Sequence, residues 1–335
     1  MNAEDAPVLR SSMPVVSARR SRDRLWIVEA AFWLLPVLAF FLLPGYLALG
    51  SQILIACLFA LSLDLILGYA GIISLGHAAF FGAGAYTAGL LAAHKWGEPL
   101  SGLMAAGLVA AVLGYLTSLI VVRGNDLSRI LVTLAVGYLL AETANKATSI
   151  TGGADGLLGI EMWKLLGVFE FDLAGRTAYV YNLVVLFLMF LLLRRVVGSP
   201  FGLSLRGIKD CRKRMPGLGT NVNRQLTAAY TLSAAIAGVA GGLLAQTTQF
   251  VGIDSLSFQR SAEILIMLIL GGVGHLYGAI IGAVVFIIGH DVLSNLNPVY
   301  WQFWLGILLM AMVFVAPGGI AALAVRLWRL ARRTP

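Results

Sequence analysis

Charge and cysteine are both scarce in this sequence of 335 residues. Charged residues make up 12% of the chain and hydrophobic residues 59%. Its apolar runs are long enough to cross roughly 30 Å of hydrocarbon, which indicates a membrane protein with several spans. Of the 2 cysteines, Cys57 lies in an apolar run and Cys211 in a basic loop. We expect them at different depths, which excludes a disulfide framework.

The motifs of several enzyme classes are also missing. No lysine stands in a GxxxxGK[ST] phosphate loop, so the chain is not expected to bind ATP itself. The four histidines, His77, His94, His275 and His290, show no metal-ligand spacing. No span combines a nucleophile with a base at helical spacing, which argues against an intramembrane enzyme. We therefore expect a protein that is not an enzyme and binds no metal or cofactor.

The basic residues predict the topology. Of the 24 Lys and Arg residues, 19 fall in five places: the N-terminal arm, Arg123 with Arg129, the stretch 194–214, Arg224, and the tail from Arg326. The positive-inside rule places all five in the cytoplasm, so both termini are inside and the number of crossings is even. The net charge of +8 is explained by topology and does not indicate nucleic-acid binding.

The predicted fold class is an all-α polytopic membrane protein with about 8–10 transmembrane helices, some glycine-broken or re-entrant. We expect a basic arm at 1–25, a transmembrane domain at 26–318 with a cytoplasmic loop at 198–225, and a basic tail at 319–335. Ten crossings satisfy every basic cluster, and eight conventional spans plus two irregular elements fit equally well. The ten predicted spans are 26–43, 48–68, 73–93, 100–122, 129–150, 178–197, 227–249, 261–274, 276–294 and 300–318.

Glycine is unusually frequent in the apolar sequence. The stretch from Gly68 to Gly76 is expected to break a helix, and 261–274 is short for a full span. Half-helices of this kind are allowed in a membrane only when protein buries them. Small residues also recur every four positions, which predicts smooth strips for close helix packing. The expected packing residues are Gly238 and Gly242 in one strip and Gly274, Gly278 and Gly282 in the other.

Ionisable residues within spans are costly, so they normally face protein or water. Glu142 and Lys146 stand four residues apart in the order that favours an ion pair on one helix face. Asp64 lies deeper, just before the expected glycine break. Two roles for Asp64 stay open: it caps or packs against backbone, or it lines a translocation path.

The loop at 198–225 contains a short amphipathic segment. We predict a helix from Leu203 to Met215 that ends at Pro216, with Leu205 and Ile208 on one side and basic residues on the others. Such a helix either lies on anionic lipid or docks onto a partner protein.

Motifs over nearly the whole membrane region resemble the LivM-type permease subunits of branched-chain amino acid ABC importers. The similar stretches include LGYAGIISLGHAAFFGAGAYTAG at 67–89, TGGADGL at 151–157, SPFGLSLRGIKD at 199–210 and LILGGVGHLYGAIIGA at 268–283. The resemblance implies that the loop helix docks on a separate ATPase through Gly202, Arg206, Ile208, Lys209, Asp210 and Gly219. It leaves Asp64, His77 and Tyr138 as candidates for the translocation path, and Asp64 and Tyr138 depart from the residues usual in the family.

The resemblance also implies the function and the partners. We expect a permease subunit in the bacterial inner membrane that works with a second homologous permease, two ATP-binding cassette subunits and a periplasmic solute-binding protein. ATP and Mg would be used only by the partner ATPases. Branched-chain amino acids are the leading solutes, and urea, amides and aromatic acids are alternatives within the family. An ion-coupled secondary transporter with Asp64 and Asp291 as coupling carboxylates is the alternative from another class.

Overall fold

The computed structural model describes residues 16–165, 167, 169–170, 175–296, 298, 300, 303–304, 306–307, 310 and 318–320. The described part is helical, and its extended residues form only two isolated bridges, Leu157 with Val251 and Leu165 with Phe169. The all-α prediction is confirmed. The α-helices are α1 Val16–Leu42, α2 Leu47–Asp64, α3 Ala78–Ala93, α4 Pro99–Val121, α5 Asp126–Lys146, α6 Thr148–Thr151, α7 Arg176–Val197, α8 Pro200–Cys211, α9 Val222–Thr248, α10 Phe258–Gly271 and α11 Leu276–Leu296.

Six helical segments are long and apolar enough to cross a membrane, so the chain is a multi-pass membrane protein. They are Pro44–Tyr69, Pro99–Val121, Asp126–Lys146, Arg176–Val197, Val222–Thr248 and Leu276–Leu296. Glu29–Leu42 and Ala78–Ala93 are shorter apolar helices. Most of the predicted span 300–318 and the tail from 321 lie outside the described residues. The total of 8–10 spans therefore stays a prediction.

Helix α1 belongs to a separate compact unit, Met1–Gly45. It begins at Val16, ten residues before the predicted first span, and Pro36 lies inside it. The earlier start has a local reason, because no glycine or proline interrupts the sequence from Val16 to Leu35. Arginine is also a good helix former, so the basic arm continues the apolar helix.

Helix α9 lies at the centre of the remaining unit. It packs against α3 and α4, and its neighbour α2 packs in turn on α7, α10 and α11. The approach to α4 is close: a Cβ atom added to Gly238 would lie 2.7 Å from the carbonyl oxygen of Ala106, and one at Gly242 would lie 3.0 Å from the Ala106 side chain. Small residues let these backbones approach, as expected for helices in a membrane. The predicted strip at Gly238 and Gly242 thus packs within this chain.

The second predicted strip is only partly correct. Gly278 and Gly282 lie on α11, but Gly274 precedes the helix in a left-handed conformation with φ of 85°. The physical reason is the positive φ of Gly272 and Gly274, which ends α10 and reverses the chain before α11 begins. Gly278 packs against Gly271, since a Cβ atom at Gly278 would lie 2.9 Å from the Gly271 carbonyl oxygen.

Gly278→Leu is expected to lower the yield of folded membrane protein by at least about half, because its side chain would push α11 away from α10. Gly289→Leu is the matched control, since a Cβ atom on Gly289 of the same helix meets nothing within 4 Å. Yield is measured as monodisperse protein after detergent extraction and size-exclusion chromatography. Equal yields for the two variants would show that α10 and α11 do not depend on this close contact.

Candidate functional site

The predicted break after α2 is present and is built into the protein interior. A single π-helical turn, Leu65–Tyr69, follows α2, and no helix resumes until Ala78. The irregular backbone finds side-chain partners from other helices. The Leu75 N–H donates to Thr133 Oγ1 of α5 at 3.3 Å, and the Ala78 N–H donates to Ser261 Oγ of α10 at 2.9 Å. Irregular backbone at membrane depth requires such partners.

The two glycine breaks of the chain meet each other. Asp64 Oδ1 accepts a hydrogen bond of 2.7 Å from the Gly274 N–H, and Asp64 is fully buried. Gly68 adjoins the same point, because a Cβ atom there would lie 2.7 Å from the Gly274 nitrogen. We call Asp64, Gly68, Tyr69 and Gly274 the break junction. It joins the end of α2 to the turn between α10 and α11.

Helix α8 of the basic loop starts earlier and ends earlier than predicted. It runs from Pro200 to Cys211 and is followed by a 3₁₀ turn, Met215–Leu218. Pro200 occupies the first turn, where its fixed φ favours a helix start and its missing N–H costs nothing. The predicted end at Met215 was wrong, because α8 ends at Cys211. Pro216 lacks the N–H that a continuing α-helix would direct to the Arg212 carbonyl group, and the chain forms the 3₁₀ turn instead.

Helix α8 contacts the break junction through its basic side chains. The Lys209 Nζ group donates a hydrogen bond of 2.8 Å to the Gly68 carbonyl oxygen. The guanidinium carbon of Arg206 lies 5.1 Å from the centre of the Tyr69 ring, within the range of a cation–π contact. The π-helical turn leaves carbonyl groups without a regular α-helical partner, and lysine supplies one donor. The loop helix is thus connected directly to the break junction.

The six residues predicted to dock a partner divide into two groups. Arg206, Lys209, Asp210 and Gly219 are exposed. Gly202 and Ile208 are buried against this chain, and a Cβ atom at Gly202 would overlap the backbone of Val197. Within this chain, these two residues hold α8 on the membrane domain, and the docking role of all six stays a prediction. An apolar residue on an amphipathic helix can pack on its own membrane domain or on a partner protein. The sequence pattern alone does not distinguish these two contacts.

Arg212 is a contact residue that the sequence did not single out. Its Nη2 group donates to the Val122 carbonyl oxygen at 2.8 Å, at the carboxyl end of α4. A cation near the last carbonyl groups of a helix is favourable, because these groups lack intrahelical donors. This contact fixes the loop to a second helix.

The three path candidates are not brought together. His77 is fully buried, and its Nε2 atom lies 2.9 Å from Ser62 Oγ. Its ring stacks on Phe59 with centroids 5.6 Å apart. Tyr138 is 63% exposed on α5, away from the core where Asp64 and His77 lie. The predicted ion pair of α5 is confirmed, with Lys146 Nζ 3.3 Å from Glu142 Oε1 and both side chains exposed.

Comparisons with known proteins agree with this architecture. The family model described as the permease component of branched-chain amino acid transport systems matches residues 45–316. The high-affinity branched-chain amino acid transport permease LivM of Escherichia coli K12 is 28% identical over 330 residues, which cover 92% of this chain and 77% of the relative. LivH of Salmonella typhimurium is 24% identical over 279 residues, with 78% and 90% covered.

A relative from the archaeon Methanocaldococcus jannaschii, a probable LivM, is 23% identical over 240 residues, which cover 65% of this chain and 68% of that protein. No solved structure matches. The family model spans most of the chain, including the break junction and α8. The chain therefore belongs to the family of permease components of branched-chain amino acid transport systems.

Proposed function

We propose that the chain is the transmembrane permease subunit of an ATP-driven ABC importer for branched-chain amino acids or related small solutes. The observation that carries this proposal is the bond from Lys209 of α8 to the Gly68 carbonyl oxygen in the break junction. An ATPase outside the membrane must contact a segment that is joined to the membrane helices in order to move them. Helix α8 has this position, because one face packs on the membrane domain and the other is exposed.

The chain needs partners for this function. The matched relatives include two distinct permeases, LivM and LivH, which supports a second homologous permease as partner. The chain carries no phosphate loop, so ATP and Mg are assigned to two separate ATP-binding cassette subunits. A periplasmic binding protein would deliver the solute. Under this proposal the chain is a transport subunit, and ATP hydrolysis takes place outside it.

The proposed orientation places α8 in the cytoplasm of a bacterial inner membrane. Basic residues crowd the sequence from Arg194 to Arg214, and the positive-inside rule favours the cytoplasmic side for them. Both termini would then be cytoplasmic, and lipid would cover the apolar outer faces of α4, α5 and α7. The proposed solute class is inferred from the relatives. Urea, amides and aromatic acids are alternative solutes within the same family.

The proposed docking surface combines charge with two exposed leucines. Arg206, Lys209 and Asp210 are exposed on α8. Leu203 is 63% exposed at the start of α8 and Leu218 is 76% exposed in the 3₁₀ turn. Large apolar side chains exposed beside a polar rim are typical of a protein interface. We therefore assign these leucines to contact with the ATPase.

The double change Leu203→Asp with Leu218→Asp is expected to reduce copurification of the ATPase subunits several-fold, because two carboxylates would replace apolar anchors. Leu158→Asp is the control, since Leu158 is 67% exposed in the segment between α6 and α7. Association is measured by affinity purification of the permease from membranes and quantification of bound ATPase. Undiminished ATPase in the double variant would remove α8 and the 3₁₀ turn as the docking surface.

A further inference from the structure

A cavity of about 390 Å³ lies between α2, α3, α9, α10 and α11, and the segment that joins α9 to α10 also lines it. It is at the end of the bundle far from α8. Helix α9 begins next to α8 at Val222 and reaches the cavity only at Leu244, roughly 33 Å further along the helix at 1.5 Å per residue. In the proposed orientation the cavity lies in the periplasmic half of the membrane domain. Its volume is at the small end of the range for small-molecule sites.

One wall of the cavity carries an ion pair, and Asp254 and His290 also belong to the cavity lining. Arg260 Nη1 lies 3.2 Å from Glu263 Oε2, and both residues line the cavity from the first turns of α10. The Gln259 Nε2 group donates to Glu263 Oε1 at 3.1 Å, and Ser257 caps the helix by accepting from the Arg260 N–H. Glu263 is positioned by these contacts. The side chains remain 41% and 25% exposed, so a solute can reach both.

The opposite surface of the cavity is apolar. Phe59 and Phe81 stack with ring centroids 4.5 Å apart, and both rings line the cavity. Two apolar side chains of α10 also line the cavity: Ile264 directly follows Glu263, and Met267 lies about one turn after it. All four side chains are buried. The cavity thus has a charged wall and an apolar floor.

We propose that this cavity is the solute site of the permease and that it binds a zwitterionic amino acid with an aliphatic side chain. The carboxylate contacts Arg260, the ammonium group contacts Glu263, and the side chain lies on Phe59 and Phe81. This inference rests on the proposed function, and it names a site that lies within one subunit.

The arrangement of charges favours a zwitterion over a simple ion. In an amino acid the ammonium and carboxylate groups are separated by one carbon, and the protein presents its opposite charges side by side. A guanidinium group has five N–H donors, so Arg260 can contact Glu263 and a carboxylate together. A monocarboxylate lacking the amino group would contact Arg260 but leave Glu263 without an ammonium partner. A monoamine would contact Glu263 but leave Arg260 without a carboxylate partner.

The site is tested by photolabelling the complete transporter in lipid nanodiscs with a diazirine analogue of L-leucine. We expect labelled peptides from α2 and α10, and at least about tenfold less labelling in Arg260→Gln and in Glu263→Gln, since each loses a charge-assisted contact. Glu142→Gln and Lys146→Gln are matched controls, because they change an exposed ion pair on α5. Ala56→Phe fills the cavity without touching its charges, and it should also lose the label. L-leucine should compete, whereas 4-methylpentanoate and 3-methylbutylamine should not.

Uptake by the same preparations tests the cavity assignment separately from the importer function. ATP-driven L-leucine uptake should fall about tenfold in Arg260→Gln and Ala56→Phe, while assembly with the ATPases remains intact by size-exclusion chromatography. Native uptake in both variants, or labelling that is unchanged in them, would overturn the cavity assignment and leave the importer function standing. ATP-driven uptake of urea, an amide or an aromatic acid without uptake of L-leucine would overturn this inference alone. No ATP-driven uptake of any of these solutes by the native complex would overturn the importer function and this inference with it.

Discussion

Lys209→Met is expected to reduce ATP-driven solute uptake between about tenfold and a hundredfold while the ATPase subunits stay bound. Methionine keeps most of the length of the side chain but cannot donate to the Gly68 carbonyl oxygen, which lies 2.8 Å from the lysine nitrogen. A hydrogen bond to a charged group is typically worth a factor of this size. Without it, movement of α8 is no longer passed to the break junction.

The measurement compares uptake with ATP hydrolysis in proteoliposomes that contain binding protein. Uptake should fall much more than hydrolysis, so that more ATP is used for each solute moved. Lys213→Met is the control, because Lys213 is exposed just after α8. Loss of ATPase binding in Lys209→Met would mean that Lys209 acts mainly through contact with the ATPase and not through its bond to Gly68. Native uptake would mean that the contact with Gly68 transmits nothing.

Asp64→Leu is expected to abolish uptake, with a loss of about a hundredfold, whereas Asp64→Asn should change uptake by less than about threefold. The Gly274 N–H donates to Asp64 Oδ1 at 2.7 Å, and asparagine retains an oxygen acceptor at that place. Leucine removes it and leaves a buried N–H without a partner, which costs about 1–3 kcal/mol. The two glycine breaks would then separate.

Both variants are compared for folded yield and for uptake. Leu63→Val is a control for volume change at a neighbouring buried site, and its uptake should be close to native. Equal uptake in Asp64→Leu and native protein would show that the bond to Gly274 does not hold the junction. A large loss in Asp64→Asn would give the negative charge itself a role.

Much of the fold follows from local sequence. The break after α2 is predictable because glycines interrupt an apolar run, and the Glu142–Lys146 pair because four-residue spacing places both side chains on one helix face. The predicted limits of α8 were wrong at both ends: Pro200 starts the helix before the amphipathic pattern begins, and the helix ends at Cys211, before Pro216 is reached. In the second strip, the four-residue spacing predicted that Gly274 lies on the same helix as Gly278. Spacing does not reveal the positive φ that places Gly274 in the turn before α11.

The junction itself was not predictable from one sequence. Asp64 and Gly274 are 210 residues apart, and Lys209 and Gly68 are 141 residues apart. Periodicity describes which face of one helix is apolar, but it carries no information about which helices meet. The sequence therefore identified Asp64 as a charged residue inside a span. Its partner, Gly274, is known only from the packing of α2 on α10 and α11.

The energy source is the central claim, and one uptake measurement tests it most directly. Native transporter is reconstituted in proteoliposomes with binding protein, and uptake driven by internal ATP is compared with uptake driven by an imposed ion gradient. Our account predicts uptake with ATP and none with the gradient alone. Gradient-driven uptake without ATP that is lost in Asp64→Asn would contradict it, because a neutral amide cannot cycle a proton or hold a cation by charge.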